Sequence, residues 1–181
     1  MQIKKGGRRI LKILHSQCPF PATNPAVKLT NFTDYSLRVL IYLAAEPTHR
    51  ATIAEISEAF EVKENHLTKV VLHLGRLGWV KTTRGKNGGL SLARPARDIS
   101  VGDVVRGAEG AMIPAQCFAP LSTATQARDC PIVRYCRLKE VLSAAVDSFY
   151  RVLDDYSLAD IARNREVLST VLRIPIVISP S

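Results

Sequence analysis

Three of the four cysteines lie close together in the second half of the chain, at Cys117, Cys130 and Cys136, whereas Cys18 stands apart near the N-terminus. Their spacing, C-x12-C-x5-C, lacks the close cysteine pairs that are typical of zinc fingers. Three thiolates on one loop ahead of a helix suit an iron–sulfur cluster with one non-cysteine ligand. Polar flanking residues argue against the alternative that these cysteines are buried small hydrophobes.

The remaining residues offer little that could catalyse a reaction. The sequence contains no Ser/His/Asp array, no paired carboxylates and no Cys-x-x-Cys motif, so we predict that the protein is not an enzyme. The glycine-rich stretch 85–89 does not end in lysine followed by serine or threonine, and it does not precede a helix, which argues against a nucleotide site. Cysteines that serve only as a thiol redox switch remain an alternative to the cluster.

Length and composition fit one domain, or one domain with an appendage. The 181 residues are 46% apolar and 23% charged, which is enough apolar surface for a buried core. Because no run of about 18 apolar residues occurs, we predict no membrane-spanning helix and a cytoplasmic protein.

The positive charge is concentrated rather than spread evenly. Residues 50–97 hold nine basic and four acidic side chains, and residues 76–97 hold six basic and no acidic ones, whereas residues 98–181 are nearly balanced. A patch of one sign attracts polyanions, of which nucleic acid is the commonest, although a solvated basic face has the same composition.

Residues 1–27 form a leader unlike the rest of the chain. Its first 26 residues contain five basic and no acidic side chains, and the stretch Cys18-Pro19-Phe20-Pro21 breaks any helix. We predict that this leader is disordered, and we hypothesise that translation starts at Val27 instead of Met1. A basic tail that adds non-specific DNA affinity is the alternative.

Three helices are predicted after the leader, and the second and third read as a helix-turn-helix over about 53–77. Asn31 is expected to cap the first helix, with Asp34 in its first turn. Residues 52–55 form a capping box at the start of the second helix. The third helix runs from about Glu64 to Leu77 and carries a polar and basic outer face.

A β-hairpin is predicted directly after the third helix, over about 79–93, with a glycine-rich turn. A hairpin in this position is the wing of a winged helix, and its tip presents Arg84 and Lys86. The predicted fold is therefore mainly α with a small β-hairpin wing, in which a winged helix-turn-helix domain over 28–110 precedes a long dimerisation helix.

The second half of the chain is predicted to hold the cysteine loop and the dimer contacts. We assign 111–136 to cluster binding, 137–173 to a dimerisation helix and a C-terminal helix, and 174–181 to a tail. Apolar residues from Leu138 to Leu153 recur at helical spacing and form one continuous stripe. Because the winged helix has its own core, this stripe is expected to be shared with a second subunit, rather than to pack back on its own domain.

Several stretches resemble the NsrR family of nitric-oxide-sensing iron–sulfur winged-helix repressors, a family to which IscR also belongs. The match runs from about residue 28 to 173. The stretches that carry it are Leu29 to Tyr35, Arg84 to Gly89 (RGKNGG), Ile99 to Val105, Cys136 to Lys139 (CRLK) and Tyr156 to Asp160.

The resemblance implies a homodimer with a [2Fe-2S] or [4Fe-4S] cluster at its interface. Cys117, Cys130 and Cys136 of one subunit would hold the cluster, and Asp34 of the other subunit would complete the ligand set. The interval Phe118 to Asp129 is longer than the family's usual spacing. Since rhizobial iron-responsive relatives also have a long first interval, a repressor that senses iron or cluster status is an alternative.

We expect the dimer to place two third helices in successive major grooves of a palindromic operator in double-stranded DNA. Nitric oxide is the expected signal and would release the DNA by attacking the cluster. The expected base contacts are Asn65, His66, Thr68 and Lys69, with Arg84 in the minor groove and Lys86 and Arg76 on phosphates.

Overall fold

A computed structural model describes residues 28–86, 88–110, 112, 131–132 and 135–175 of the chain. The predictions for the leader 1–27, for Cys117 and Cys130, and for most of the loop 111–136 lie outside these residues. The secondary-structure elements are α1 (Asn31–Ala45), α2 (Ile53–Phe60), α3 (Glu64–Arg76), β1 (Val80–Thr83), β2 (Gly89–Leu92), a 3-10 turn (Ala96–Asp98), α4 (Val101–Glu109), α5 (Leu138–Asp154), α6 (Leu158–Ile161) and α7 (Arg165–Val171).

Helix α1 is the central element of the core, and its buried face includes Val39, Leu40, Tyr42 and Leu43. The prediction that Asn31 caps this helix is wrong. Thr30 is extended, and its side chain accepts a hydrogen bond from the Thr33 backbone N–H, so the cap lies one residue earlier. Both residue types favour the capping position, and the sequence alone did not distinguish them.

The helix-turn-helix forms as predicted, because local signals at both of its ends agree. Thr52 and Glu55 make the expected capping box, in which each side chain bonds the other residue's backbone N–H. Glu61 takes a left-handed conformation, with a φ of 54°, and ends α2. Helix α3 ends before Gly78, whose φ of 72° lets the chain leave the helix.

The wing is a two-stranded antiparallel hairpin in which Val80 pairs with Leu92 and Thr83 pairs with Gly89. Gly89 has a φ of 150°, and a Cβ there would lie 2.9 Å from the carbonyl oxygen of Ala51. The close approach lets β2 bond the chain before α2, because the Leu90 N–H donates to the Ala51 carbonyl at 2.7 Å. The hairpin is therefore fixed to the segment before α2 through the start of β2, next to the turn of the wing.

The C-terminal helices α6 and α7 pack into the same core as the winged helix. Leu158, Ala162 and Ile174 are buried among the residues of α1 to α4. This packing differs from the predicted division, which grouped the C-terminal helix with the dimerisation helix and assigned Ile174 to a tail. The capping box of Ser157 and Asp160 starts the return of the chain to this core.

The predicted fold class, mainly α with a small hairpin wing, is confirmed. Helix α5 is the exception to the compact packing, because none of its residues is buried. Leu138, Val141 and Val152 are each more than half exposed. Among the described residues, no helix is both long enough and apolar enough to cross a membrane.

Candidate nucleic-acid interface and cysteine site

Helix α3 has two clearly different faces. Leu67, Val70, Val71 and Leu74 are buried against the rest of the domain. The opposite face is exposed and carries the predicted DNA contacts Asn65, Thr68, Lys69 and Arg76. Leu77 continues the apolar spacing of this helix, but it is 37% exposed, because it lies beyond the last turn of the helix. The apolar spacing therefore separates a buried face of α3 from an exposed one, which we call the reading face.

His66 is exposed like the other predicted contacts, but it lies toward α1. Its ring centroid is 6.2 Å from that of Tyr35 on α1. The imidazole is thus at the edge of the reading face instead of at its middle.

The tip of the wing carries the predicted cations Arg84 and Lys86, and both side chains are exposed. The Arg50 guanidinium donates a hydrogen bond of 2.8 Å to the Thr83 hydroxyl at the end of β1. This bond fixes the strand next to the tip, and it adds a further cation to the same side of the domain. The wing and the exposed face of α3 together form a surface suited to a polyanion.

His73 has a role that sequence analysis missed. Although it lies on α3, its side chain is half-buried and does not face outward. Its Nε2 is 2.9 Å from the Gly107 carbonyl oxygen on α4, which can only accept, so the imidazole N–H donates. The ring also contacts Phe32 edge-on, with 5.2 Å between centroids. His73 therefore connects the reading helix to both α1 and α4.

A second missed contact joins α4 to the long helix α5. The Arg106 guanidinium binds both carboxylate oxygens of Asp154, with an Nη1–Oδ1 distance of 2.8 Å. It also lies 4.5 Å above the centroid of the Tyr150 ring. Hydrogen bonds from Arg106 lower the pKa of Asp154 below its ordinary value. No sequence signal could have found this pair, since its members are 48 residues apart.

The end of α4 is bonded to the start of α1. The Glu109 carboxylate accepts a hydrogen bond of 2.6 Å from the Thr30 backbone N–H. Burial raises the pKa of Glu109, but hydrogen bonds from Thr33 and Thr30 outweigh it, so the pKa lies below its ordinary value. The segment that leads into the cysteine loop thus starts beside the first turn of α1.

Asp34, the predicted non-cysteine ligand, lies in that first turn. Its Oδ2 is 2.8 Å from Nε of Arg38, one helical turn later, and about half of its side chain is exposed. A carboxylate that binds a cluster of another subunit must be accessible at the surface, and the Asp34 carboxylate is accessible.

Cys136 is the one predicted cysteine ligand among the described residues, where it is a free, half-buried thiol at the foot of α5. Exposed apolar side chains precede it in the chain, with Ile132 58% and Tyr135 87% exposed. Within the described ranges, no group of three or more His, Cys, Asp or Glu residues could hold a metal ion. Of the predicted ligands, the described part of the chain includes Cys136 and Asp34, and it contains no complete ligand set.

These features define a winged-helix transcriptional regulator, with a reading helix, a basic wing and a long helix outside the core. Solved structures agree on the fold. T. potens IscR matches with a TM-score of 0.59 and 28% identity, covering 79% of this chain and 91% of that chain. The oxidized form of Staphylococcus aureus CymR matches with a TM-score of 0.56 and 26% identity, covering 75% and 96% of the two chains.

The sequence comparisons are more specific. Residues 29–164 match the Rrf2 family, described as iron-dependent transcriptional regulators. The HTH-type transcriptional regulator NsrR of Bacillus subtilis is 42% identical over 149 residues, which are 82% of this chain and 99% of that protein. NsrR of Geobacillus kaustophilus is 40% identical over 148 residues, which are 81% and 97% of the two chains. The chain belongs to the Rrf2 family, and it is a DNA-binding transcriptional regulator of the NsrR type.

Proposed function

We propose that the protein is a homodimeric repressor whose iron–sulfur cluster makes operator binding sensitive to nitric oxide, so that genes for nitric oxide detoxification are expressed when the gas is present. The observation that carries this proposal is the position of α4. It bonds the reading helix through His73 and the long helix through Arg106. The relatives at about 40% identity are named transcriptional regulators, which supports the DNA-binding part of the proposal.

The dimer contact is assigned to α5. Three of its apolar side chains, Leu138, Val141 and Val152, are each more than half exposed in the single chain. A continuous apolar stripe on a helix is stable when another surface covers it. A second copy of the chain, related by a two-fold axis, would cover both stripes at once.

The DNA contact is assigned to the exposed face of α3 and to the wing. In a dimer, two α3 helices would enter successive major grooves, and the operator would share the two-fold symmetry of the protein. Asn65, Thr68 and Lys69 would face base edges, while Arg84 would lie in the adjacent minor groove. Arg76 and Lys86 would then contact phosphates.

The cluster is assigned to Cys117, Cys130 and Cys136, with Asp34 of the partner subunit as the remaining ligand. Cys136 is the predicted cysteine ligand that lies among the described residues. It fits this role because it is a free, partly accessible thiol close to the start of a helix. Thiolates are the ligands that iron–sulfur clusters prefer. When bound, the cluster supplies iron that reacts with nitric oxide.

The protein's own residues would carry the response to the DNA. Cys136 lies two residues before α5, so a change at this thiol would alter the start of that helix. The other end of α5 is bonded to α4 through Asp154 and Arg106. Since α4 in turn accepts the bond from His73 on α3, a shift of α5 would change the orientation of the two reading helices and their match to the operator.

The test compares cysteine variants of the full chain, purified without oxygen. Cys130→Ala is expected to lose visible iron–sulfur absorption, iron and sulfide, together with operator binding. Cys18→Ala is the matched control and is expected to keep all of them. A colourless Cys130→Ala protein that still binds the operator with full affinity would break the coupling between cluster and DNA.

A repressor that senses iron or cluster status is the second candidate, and the description of the family as iron-dependent favours it. The two candidates differ in what releases the DNA. Under the first, nitric oxide releases it from the iron-loaded protein. Under the second, only removal of iron with a chelator does so.

A further inference from the structure

Leu72 is an apolar side chain in the middle of the polar face of α3. It is 57% exposed, although leucine is a residue that helices usually bury. Single exposed leucines are common on protein surfaces, so the exposure alone indicates nothing. The position of Leu72 is what distinguishes it.

The geometry of α3 places Leu72 close to the centre of the reading face. Asn65, Leu72 and Arg76 are separated by seven and four residues, which in an α-helix puts them in one line along the axis. This line is opposite to the buried side chains Val70 and Leu74. The half-buried His73, by contrast, points sideways to α4. Leu72 therefore faces whatever α3 binds.

We propose that Leu72 is a specificity-determining residue that contacts the methyl group of a thymine in the major groove. This inference rests on the proposed function, in which α3 enters that groove. The C5 methyl of thymine is the one apolar group that a base pair presents there, and it distinguishes T·A from the other pairs. A leucine on a reading helix cannot bond any base edge, so the thymine methyl is its matching partner.

The contact is expected to strengthen operator binding by the free energy of burying one methyl group. Loss of that contact weakens binding by about fourfold in each half-site, and by roughly fifteenfold in a symmetric dimer if the two half-sites act independently. Because Leu72 is exposed and alanine is a strong helix former, the Leu72→Ala protein is expected to keep its fold.

The experiment removes the methyl from the DNA and the leucine from the protein, separately and together. The operator is first selected from random duplexes with the full-length protein, purified without oxygen. Each thymine of the half-sites is then replaced in turn by uracil, which lacks only the C5 methyl. Affinities are measured for the native protein, for Leu72→Ala and for Val167→Ala, a control at an exposed apolar position on α7.

We expect one thymine per half-site at which uracil weakens binding of the native protein and of Val167→Ala by about fourfold, but leaves binding of Leu72→Ala unchanged. The inference is overturned if native protein and Leu72→Ala respond alike to every replacement, or if the selected half-sites contain no thymine. It is also overturned if Leu72→Ala loses its cluster absorption or dissociates into monomers, since Leu72 would then pack inside the assembly. A native protein that binds no duplex at all contradicts the proposed function instead.

Discussion

The Arg106 guanidinium donates hydrogen bonds to both oxygens of the Asp154 carboxylate, and this pair joins α4 to the C-terminal end of the exposed helix α5. Gly102 lies close against the same carboxylate, where a Cβ would overlap it. Arg106 also packs over the Tyr150 ring. The contact between α4 and α5 is therefore made by the ion pair, by the packing of Arg106 on Tyr150 and by the close approach of Gly102. This contact is where we expect the dimer and the reading helix to be coupled.

Asp154→Asn is predicted to weaken operator binding by a few-fold while the cluster absorption stays unchanged, because the substitution removes the charge that Arg106 binds. Exposed ion pairs contribute little to folding stability, so the unfolding midpoint in urea should hardly move. Asp155→Asn is the matched control, since it makes the same charge change at the next position. Equal affinities of the two variants would show that the pair does not transmit the signal.

Because the pKa of Asp154 is lowered, the ion pair exists at neutral pH and is lost only as the pH falls through that lowered value. Operator affinity should therefore show no step from this group between about pH 5 and pH 8. The pH profiles of native protein and Asp154→Asn, measured at constant salt, should be parallel over this range. A difference between them that appears near pH 6 would contradict the assignment.

Arg84→Ala is predicted to weaken operator binding and to make its dependence on salt shallower. A cation in the minor groove releases counterions from the DNA, and each such contact lowers the slope of log affinity against log salt by about 0.9. The control is Arg163→Ala, which removes an exposed arginine that pairs with Asp160 at 3.4 Å and lies outside the wing tip and α3. An unchanged salt slope for Arg84→Ala would show that the wing tip does not contact the DNA.

His73→Ala is predicted to destabilise the fold, since it removes the bond to the Gly107 carbonyl and the edge contact with Phe32. The lost hydrogen bond contributes about 1 kcal/mol, and the lost packing adds to it. Urea unfolding measures the effect, and His73→Gln, which retains an N–H donor, should recover part of it. A variant as stable as the native protein would mean that α3 is held to α4 by apolar packing alone.

Tyr42 gives a prediction for alkaline pH, because burial raises its pKa from 10.0 to about 12. The unfolded chain then loses this proton before the folded one does, so the stability that Tyr42 contributes is present below pH 10 and falls as the pH rises toward 12. Between pH 9 and pH 11, native protein should lose about 1 kcal/mol relative to Tyr42→Phe. Urea unfolding of both proteins at the two pH values tests this, and a constant difference would contradict it.

The sequence predicted those parts of the fold that depend on local signals. The capping box at Thr52 appears where it was expected, and Gly78 and Ser157 take the helix-ending and helix-capping roles that are typical of their residue types. The buried face of α3 also agreed with the apolar periodicity. Such features depend on interactions between residues a few positions apart, and they can therefore be predicted from the sequence.

Contacts between distant parts of the chain could not be predicted in the same way. The bond of His73 to Gly107 and the pairing of Arg106 with Asp154 depend on how helices pack, and no spacing rule connects their members. Nothing in the sequence distinguishes His73 from the other polar residues of this basic helix. The burial of Ile174 in the core was missed for the same reason, since the apolar end of the chain gives no sign of what covers it.

The central claim is that cluster and DNA binding are coupled, and one titration tests it most directly. Nitric oxide is added without oxygen to the full-length protein on its selected operator, and visible absorption and DNA affinity are followed together. Both are expected to fall over the same range of added nitric oxide. Absorption that disappears while the operator remains bound with full affinity, or a metal-free preparation that binds equally well, would contradict it.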